Sequence, residues 1–388
     1  MHSFTFQNPT KIVFGKGTVS QLGSLTEPFG KTVLLVYGSG SIKRTGLHDE
    51  VMNQLQSIGA AVVELAGIEP NPRLSSVKRG IELCREHNVD FVLAVGGGSV
   101  LDASKAIAAG VRYDGDVWDF FMHKAVIRDA LPMGAILTLS ATGSEMNGNS
   151  VVSNWETKQK RSFGSQHTYP RFSILDPTLT FSVPRDQTVN GIVDIMSHVF
   201  EQYFSLTADV PLQERLCESI LQTVIENAET ALDKPDDYAA RANLMLCGTL
   251  ALNGGLISVG MANDWASHGI EHEISAIYDI PHGAGLSIVF PNWMKYVYNE
   301  RVERFAQYAE RVWGIERGSK SDEDMALAGI SATRAFFTRI GAPATLSFYD
   351  IGEEHLDVMA REAVLFGPLG NFKKLNQEDV KEILTMAL

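Results

Sequence analysis

One carboxylate and three imidazoles near the middle of the chain have the residue types and spacing of a metal-binding set. Asp194 and His198 lie four residues apart in a stretch with helical periodicity, so they share one helix face. His268 and His282 follow in the segments HGIEH and IPHG. Such a set suits Zn²⁺ or Fe²⁺ better than Ca²⁺ or Mg²⁺, which prefer oxygen ligands alone. If the four residues meet in the fold, the chain is a metal-dependent enzyme.

A glycine-rich loop stands where a predicted buried strand ends and a helix begins, at Gly96, Gly97, Gly98 and Ser99. Glycines let the backbone approach a ligand closely, and a helix N-terminus offers free N–H groups and the positive end of the helix dipole. These features suit a pyrophosphate, although a plain tight turn explains the same residues equally well. The fingerprint GxGxxG does not follow the first strand, so the unit is not an ordinary Rossmann unit.

The turn after the first predicted strand has the sequence YGSGSIKR, from Tyr37 to Arg44. NAD-selective sites usually place a carboxylate on the adenosine ribose, whereas a 2′-phosphate prefers hydroxyl groups and cations. Because no acid stands in this turn, NADP(H) is favoured over NAD(H) if a nicotinamide cofactor binds. A solvated surface turn is the alternative interpretation.

Length and composition limit the remaining possibilities. A chain of 388 residues predicts two domains, and a net charge of −13 argues against nucleic-acid and anionic-membrane partners. Three distant cysteines without a CxxC pair are typical of buried thiols in the cytoplasm. The N-terminus reads as an alternating strand and not as a signal peptide, and no apolar run predicts a membrane span.

Alternating apolar runs and helical stretches in the first half predict a parallel sheet with crossover helices. After about Pro184, long amphipathic stretches dominate. We therefore expect an α/β dinucleotide-binding domain over residues 1–182 and an all-helical domain over residues 183–388. The predicted strands are 31–37, 60–65, 90–95, 133–139 and 172–175, with a polar hairpin arm at 155–163.

The motifs together resemble the iron-containing (group III) alcohol dehydrogenases. They run in order as FGKG at 14–17, GGGSVLDASK at 96–105, ATGSE at 141–145, LDP at 175–177, Asp194-x₃-His198-x₂-Glu201, His268-x₃-His272 and PHG at 281–283. The Gly38 turn and Lys160 resemble the butanol dehydrogenase-like branch of NADPH-dependent aldehyde reductases.

The resemblance implies a dehydroquinate synthase-like architecture, with the active site in a cleft between the α/β and helical domains. It implies the metal ligands Asp194, His198, His268 and His282, and a pyrophosphate loop at Gly96, Gly97, Gly98 and Ser99. It also implies that Asp102 lies near the nicotinamide, that Thr138 and Thr142 line the cofactor, and that Gly38, Ser39, Ser41 and Lys160 lie near the 2′-phosphate. Many members carry Asp where Gly38 stands, and its absence fits NADPH. Members differ in metal, so Fe²⁺ and Zn²⁺ both remain open.

The expected reaction is hydride transfer between NADP(H) and a small aliphatic aldehyde or primary alcohol, with the metal polarising the substrate oxygen. His272, one turn from His268, is a candidate proton relay, with a packing histidine as the alternative. The cysteine usage predicts a cytoplasmic protein, and analogy with the fold predicts a homodimer.

Three other functions compete with this interpretation. A glycerol dehydrogenase-like or other polyol oxidoreductase would use the same fold. A zinc metalloprotease would use the HxxEH segment from His268 to His272, and a non-catalytic protein would hold the histidines in its core. Four aromatic residues could line a substrate pocket or belong to the core, namely Trp118, Phe120, Phe121 and Trp265.

Overall fold

The computed structural model describes every residue from Met1 to Leu388 and contains eight strands and fifteen α-helices. The strands are Lys11–Phe14 (β1), Thr32–Tyr37 (β2), Ala61–Leu65 (β3), Phe91–Gly96 (β4), Met133–Leu137 (β5), Asn149–Asn154 (β6), Gln159–Gly164 (β7) and Phe172–Leu175 (β8). The helices are Leu22–Thr26 (α1), Ser41–Arg44 (α2), Leu47–Ser57 (α3), Leu74–Glu86 (α4), Gly98–Val111 (α5), Trp118–Phe121 (α6), Arg185–Tyr203 (α7), Pro211–Asp233 (α8), Tyr238–Ala251 (α9), Ala266–Tyr278 (α10), His282–Val297 (α11), Val302–Arg311 (α12), Asp322–Ile340 (α13), Leu356–Ala363 (α14) and Gln377–Met386 (α15).

Six parallel strands form the main sheet, in the order β1-β8-β5-β4-β2-β3. This confirms the parallel sheet predicted from the alternation of strands and helices. The remaining strands, β6 and β7, pair antiparallel as a separate hairpin, and the predicted polar arm at 155–163 forms its turn and most of its second strand.

Both faces of the main sheet are buried. Along β2, Val33 and Leu35 belong to one apolar cluster, whereas Leu34 and Val36 belong to another. Successive strand residues point to opposite faces, so a strand covered on both sides needs a continuous apolar run. This requirement explains why these strands could be predicted from continuous apolar runs in the sequence.

The chain folds into two compact units, and neither is a single continuous segment. One consists of residues 7–183 and 235–254 and contains the sheet; the other consists of residues 1–6, 184–234 and 255–388. The second unit is largely helical, which agrees with the predicted fold class. The predicted boundary between residues 182 and 183 differs from these units in two places. Residues 1–6 belong to the helical unit, and residues 235–254, which contain α9, belong to the sheet unit.

Helix α9 belongs to the sheet unit because polar and close backbone contacts fix it there. The hydroxyl of Thr249 donates to Oε1 of buried Glu145 at 2.6 Å. A Cβ atom on Gly143 would lie 2.6 Å from the carbonyl oxygen of Leu252, so only glycine permits this approach. Amphipathic periodicity identifies such a helix but does not indicate which neighbour it packs against.

The N-terminal segment is not the strand that its alternating sequence predicts, because the first strand begins only at Lys11. The backbone N–H of His2 donates to the carbonyl oxygen of Gly260 at 2.9 Å, so this part of the segment bonds to a loop of the helical unit. None of the helices combines the length and the apolar composition that a membrane span requires.

Candidate functional site

The four residues of the predicted metal set come together inside the helical unit. Asp194 and His198 lie on one face of α7, His268 lies in the first turn of α10, and His282 is the first residue of α11. Oδ1 of Asp194 is 3.6 Å from Nε2 of His198, 4.0 Å from Nε2 of His268 and 3.7 Å from Nε2 of His282. One carboxylate oxygen therefore faces three imidazole nitrogens.

These separations fit a shared cation better than direct hydrogen bonds. They exceed hydrogen-bonding distance, whereas ligand atoms about 2.0–2.2 Å from one tetrahedral ion lie roughly 3.3–3.6 Å apart. Oδ1 of Asp194 and Nε2 of His268 are both buried and have no hydrogen-bond partner. A buried polar atom without a partner is costly, and a divalent metal would satisfy both atoms at once. The donor set thus fits the implied metal.

Two buried carboxylates fix the orientation of two of these imidazoles. Oε1 of Glu201 accepts a hydrogen bond from Nδ1 of His268 at 2.8 Å, and Glu271 contacts Nδ1 of His282. Both glutamates are fully buried. A carboxylate on Nδ1 leaves the Nε2 lone pair available and makes the imidazole a stronger ligand.

Glycines allow the start of α11 to reach the site. A Cβ atom on Gly283 would lie 2.2 Å from the carbonyl oxygen of Asn190 on α7. A Cβ atom on Gly285 would lie 2.7 Å from Cγ of Glu271 on α10. The two positions let His282 approach both helices. Its side chain is 24% exposed, against 4% for Asp194, so the site is accessible from the side of His282.

His272 lies beside the set, and one ring nitrogen lies within 4.8 Å of ligand atoms of Glu271 and His282. Its ring centroid is 5.6 Å from that of His282, and its side chain is partly exposed. Glu271, the acid of the HxxEH segment, is buried and contacts Ser275 as well as His282. A metalloprotease needs this acid free to accept a proton from water, so its position argues against that alternative.

Of the four aromatic residues predicted to line a substrate pocket or belong to the core, three lie in the core and one lies beside the metal set. Phe120 and Phe121 are buried in the sheet unit, and Trp118 stacks on Phe121 at 5.1 Å between ring centroids. These three residues belong to the core. Trp265 instead lies 5.3 Å from the ring of His268 and remains partly exposed.

The predicted cofactor residues gather at the carboxyl ends of three neighbouring strands in the sheet unit. Gly38 follows β2, Gly97 follows β4 and Thr138 follows β5, and β4 pairs with both other strands. The N–H of Thr138 donates to the carbonyl oxygen of Gly96 at 3.0 Å. Ligands of open parallel α/β sheets bind at this edge.

The glycines of the loop have packing reasons of their own. A Cβ atom on Gly96 would lie 2.5 Å from Val100, and one on Gly98 would lie 2.3 Å from Thr142. Close packing of the loop on α5 and on Thr142 therefore accounts for two of these glycines. Gly97 precedes α5, and its carbonyl oxygen accepts hydrogen bonds from the N–H groups of Val100 and Leu101. The N–H groups of Gly98 and Ser99, at the start of the helix, are the ones that suit a phosphate.

The turn after β2 has an acid nearby that its own sequence does not contain. Glu64, on the adjacent strand β3, accepts a hydrogen bond from the hydroxyl of Tyr37 at 2.6 Å. Its carboxylate also lies 3.0 Å from Nε2 of His48 and 3.8 Å from Nζ of Lys43. These contacts lower the pKa of Glu64, with the Tyr37 hydrogen bond as the largest cause. The expectation of an acid-free turn therefore holds for the turn sequence but not for its surroundings.

The other candidates near this turn differ in exposure. Ser39 and Ser41 are exposed, and Ser41 begins the short helix α2. Lys160 on β7 is 4% exposed, and its Nζ donates to Oδ1 of Asn71 at 3.0 Å. Asn71 lies in the loop between β3 and α4, and the N–H of Gly67 in the same loop donates to the Gly38 carbonyl oxygen at 3.1 Å. Sequence reasoning assigned no role to Asn71.

Asp102 is held from both sides on α5. Its Oδ1 accepts a hydrogen bond from Ser144 at 2.6 Å and its Oδ2 accepts one from the N–H of Val151 at 2.9 Å. The same Ser144 hydroxyl accepts a hydrogen bond from Lys105, which is fully buried. Burial lowers the pKa of Lys105 to about 8, opposed by the charges of Asp102 and Glu145.

Asp264 fixes the backbone that leads into α10. Its Oδ1 accepts hydrogen bonds from the N–H groups of Asn371 and Phe372, each at 2.6 Å. Burial, followed by the charge of Glu201, raises the pKa of Asp264 to about 7. Its own N–H donates to the carbonyl oxygen of Glu201 at 2.8 Å.

Sequence reasoning did not identify Glu201 and Glu271 as supports of the histidines, and it gave Trp265 only as one of four aromatic residues for a pocket or the core. Glu201 carried a usable signal, because it lies seven residues after Asp194 and three after His198 on the same helix face. Glu271 was visible only as part of HxxEH. Nothing in the sequence indicates that Trp265 would adopt a left-handed backbone conformation.

Comparison with known proteins covers almost the whole chain. A model of the iron-containing alcohol dehydrogenase family matches residues 9–177. A model of the C-terminal part of the Fe-containing alcohol dehydrogenase family matches residues 188–388.

Individual relatives agree with these matches. The chain is 54% identical to the probable NADH-dependent butanol dehydrogenase 1 of Bacillus subtilis (strain 168), with 100% of both chains covered. It is 41% identical to an NADPH-dependent aldehyde reductase of Escherichia coli (strain K12), with 93% of both covered. The solved structure of NADH-dependent butanol dehydrogenase A from Thermotoga maritima is 43% identical, with a TM-score of 0.96 over 100% of this chain and 99% of that one. The chain belongs to the iron-containing alcohol dehydrogenase family.

Proposed function

We propose that this protein is a metal-dependent alcohol dehydrogenase and aldehyde reductase. It transfers hydride between NADP(H) and a small aliphatic aldehyde or primary alcohol. The observation that carries the proposal is the pair of buried, partnerless atoms, Oδ1 of Asp194 and Nε2 of His268, facing two further imidazoles. The names of the relatives, butanol dehydrogenase and aldehyde reductase, support this substrate class.

Asp194, His198, His268 and His282 would hold one Fe²⁺ or Zn²⁺ ion, and the donor set suits both. Such an ion supplies Lewis-acid polarisation of the substrate oxygen when bound. The contribution of the chain is orientation: Glu201 fixes the ring of His268, and Glu271 contacts the ring of His282. With both rings fixed, the ligand atoms need little rearrangement to bind an ion.

NADP(H) would bind along the carboxyl edge of β2, β4 and β5. Gly96, Gly97, Gly98 and Ser99 would accept the pyrophosphate at the start of α5, with Thr138 and Thr142 beside it. Asp102, held by Ser144 and Val151, would lie toward the nicotinamide.

The preference for NADP(H) over NAD(H) rests on the turn after β2. Gly38, Ser39 and Ser41 present no carboxylate there, and Lys160 adds a cation. Glu64 is the nearby acid, and it is engaged by Tyr37, His48 and Lys43. The relatives divide on this point, since the butanol dehydrogenases carry NADH in their names and the Escherichia coli reductase carries NADPH.

His272 would supply the proton that the product alcohol needs in the reductive direction. It is partly exposed, and its ring lies 5.6 Å from that of His282. A histidine in this position can exchange protons with water near neutral pH.

The protein would work in the cytoplasm as a homodimer.

The direct experiment is a cofactor-dependent assay of the purified, metal-loaded protein with butanal. We expect oxidation of NADPH that is lost after chelation and restored by Fe²⁺ or Zn²⁺. Glycerol and casein serve as substrates for the polyol dehydrogenase and protease alternatives. Turnover of glycerol in preference to butanol, or hydrolysis of casein without cofactor use, would overturn the proposal.

A further inference from the structure

We propose that the indole of Trp265 determines the substrate specificity of this site, by forming an apolar wall that limits branching of the aldehyde next to its carbonyl carbon. This inference rests on the proposed aldehyde reductase function and names a residue that the metal and cofactor sets do not include.

Trp265 has a φ angle of 68° and lies in the left-handed region of backbone space. Bulky side chains rarely adopt this conformation, because Cβ approaches the backbone too closely. Strained conformations of this kind persist only where the surroundings impose them, and they cluster at functional sites. The left-handed conformation of Trp265 therefore indicates a functional role, and the contacts around the residue show what holds it in this conformation.

Hydrogen bonds of Trp265 and of the preceding residue, Asp264, fix its backbone. The N–H of Trp265 donates to Oε2 of Glu201 at 2.7 Å, and the N–H of Asp264 donates to the carbonyl oxygen of Glu201 at 2.8 Å. The carboxylate of Asp264 accepts hydrogen bonds from Asn371 and Phe372. Glu201 is fully buried and Asp264 is 4% exposed, so water competes little for these bonds.

The same carboxylate that holds the Trp265 backbone also orients a predicted metal ligand. Oε1 of Glu201 accepts from Nδ1 of His268, while Oε2 accepts from Trp265. The indole and the imidazole are thereby fixed relative to each other. Their ring centroids lie 5.3 Å apart at an interplanar angle of 69°, and the indole lies 6.3 Å from the ring of His198.

Trp265 is partly exposed, although its ring adjoins two buried imidazoles. A partly exposed apolar residue beside the metal set is where the carbon chain of an aldehyde would lie when its oxygen points to the ligands. Phe120 and Phe121, in contrast, are buried in the sheet unit and offer no such surface. The wall would accept a linear chain such as that of butanal and collide with a branch at the carbon beside the carbonyl.

The test compares Trp265→Gly and Trp265→Phe with the wild-type metal-loaded enzyme, using butanal and 2,2-dimethylpropanal. Glycine adopts the left-handed conformation without strain, so Trp265→Gly removes the indole without requiring a backbone shift. We expect its kcat/KM for 2,2-dimethylpropanal relative to butanal to rise about tenfold or more, in the range of pocket discrimination between similar groups. Trp265→Phe should change the ratio less than about threefold.

A second measurement tests the position of the indole without turnover. Co²⁺ quenches tryptophan fluorescence at short range, so titration of the metal-free protein should quench the wild type strongly and Trp265→Phe far less. Trp313→Phe is the matched control, because Trp313 packs on Tyr308 and Phe336 and contacts none of the histidines. Equal quenching in wild type and Trp265→Phe would overturn the placement.

The outcomes separate this inference from the function on which it rests. If the wild type reduces butanal but Trp265→Gly leaves the ratio of the two aldehydes within about twofold, the specificity role of Trp265 is overturned while the function stands. If the wild type reduces neither aldehyde with NADPH or NADH, both proposals fall.

Discussion

Nδ1 of His268 is hydrogen-bonded to Oε1 of Glu201 at 2.8 Å, while Nε2 of the same ring faces Oδ1 of Asp194 at 4.0 Å. The carboxylate thus determines which nitrogen is available to a metal. Because Glu201 also bonds to the N–H groups of Trp265 and His268, one buried side chain organises the whole start of α10.

We expect Glu201→Gln to weaken metal binding by about 10- to 100-fold, the usual effect of losing such a supporting carboxylate. The amide is nearly the same size but lacks the negative charge that strengthens His268 as a ligand. The measurement is a competitive Zn²⁺ titration of the metal-free protein against a chromophoric chelator.

The matched control for that variant is Glu218→Gln, in the same unit. Glu218 is also a buried carboxylate, but its partners are Tyr203, Gln307 and Arg311 and not the histidines. Its amide variant should keep the wild-type metal affinity. Equal losses in both variants would mean that the effect comes from general destabilisation.

We expect Gly38→Asp to lower kcat/KM with NADPH by about 100-fold or more, because a carboxylate facing the 2′-phosphate costs several kcal/mol. The backbone tolerates the change: a Cβ atom would lie 3.4 Å from the carbonyl oxygen of Ile68 and 4.0 Å from Val100. Activity with NADH should change little. Gly38→Asn is the neutral control of equal size, and an equal loss with NADPH in Gly38→Asn would point to sterics instead of charge.

The stability of the protein should depend on the protonation of Asp264. Burial and then Glu201 raise its folded pKa to about 7, above an unfolded value of about 3.9. The folded state therefore binds this proton more tightly. The resulting contribution to the free energy of unfolding is fully present below about pH 4 and is lost as pH rises through about 7.

Asp264→Asn should remove most of that dependence between about pH 4 and 7, where one proton contributes a slope of at most about 1.4 kcal/mol per pH unit. The amide oxygen can still accept from Asn371 and Phe372. Urea unfolding at several pH values provides the measurement. Asp324→Asn is a control of opposite sign, since hydrogen bonds from Ser321 lower the pKa of that exposed carboxyl. An unchanged slope in Asp264→Asn would show that the folded carboxyl is ionised throughout.

His272→Ala should lower kcat by about 100-fold or more while leaving the metal content unchanged, as expected for loss of a proton-transfer group. The pH profile of kcat should lose the limb that reports this histidine. His355→Ala is the control, because His355 contacts Tyr278 at the end of the same helix and is exposed. Unchanged turnover in His272→Ala would leave His272 as a packing residue.

The sequence predicted the parallel sheet because strands buried on both faces must be continuously apolar, as in β2. It predicted the grouping of Asp194 and His198 because i and i+4 share a helix face. The meeting of His268 and His282 with them depends on how α10 and α11 pack on α7, which Gly283 and Gly285 permit. Local periodicity carries no information on that packing.

Three other features escaped sequence reasoning for similar reasons. Glu64 lies near the turn at Gly38 because the neighbouring strand β3 places it there, so the turn sequence alone could not predict this acid. The left-handed conformation of Trp265 is held by its own hydrogen bond to buried Glu201 and by the bonds that the preceding residue, Asp264, makes to Glu201, Asn371 and Phe372. Helix α9 packs with the sheet unit through Thr249 and Glu145, a contact between residues 104 positions apart in the sequence.

On the proposed function, Asp194, His198, His268 and His282 hold one divalent metal that aldehyde reduction requires. The most direct test is titration of the metal-free protein with Fe²⁺ or Zn²⁺, followed by NADPH oxidation with butanal. We expect one ion per chain, activity that rises in proportion to bound metal, and loss of both in His268→Ala. Full activity in the metal-free protein, or metal binding that His268→Ala leaves unchanged, would contradict it.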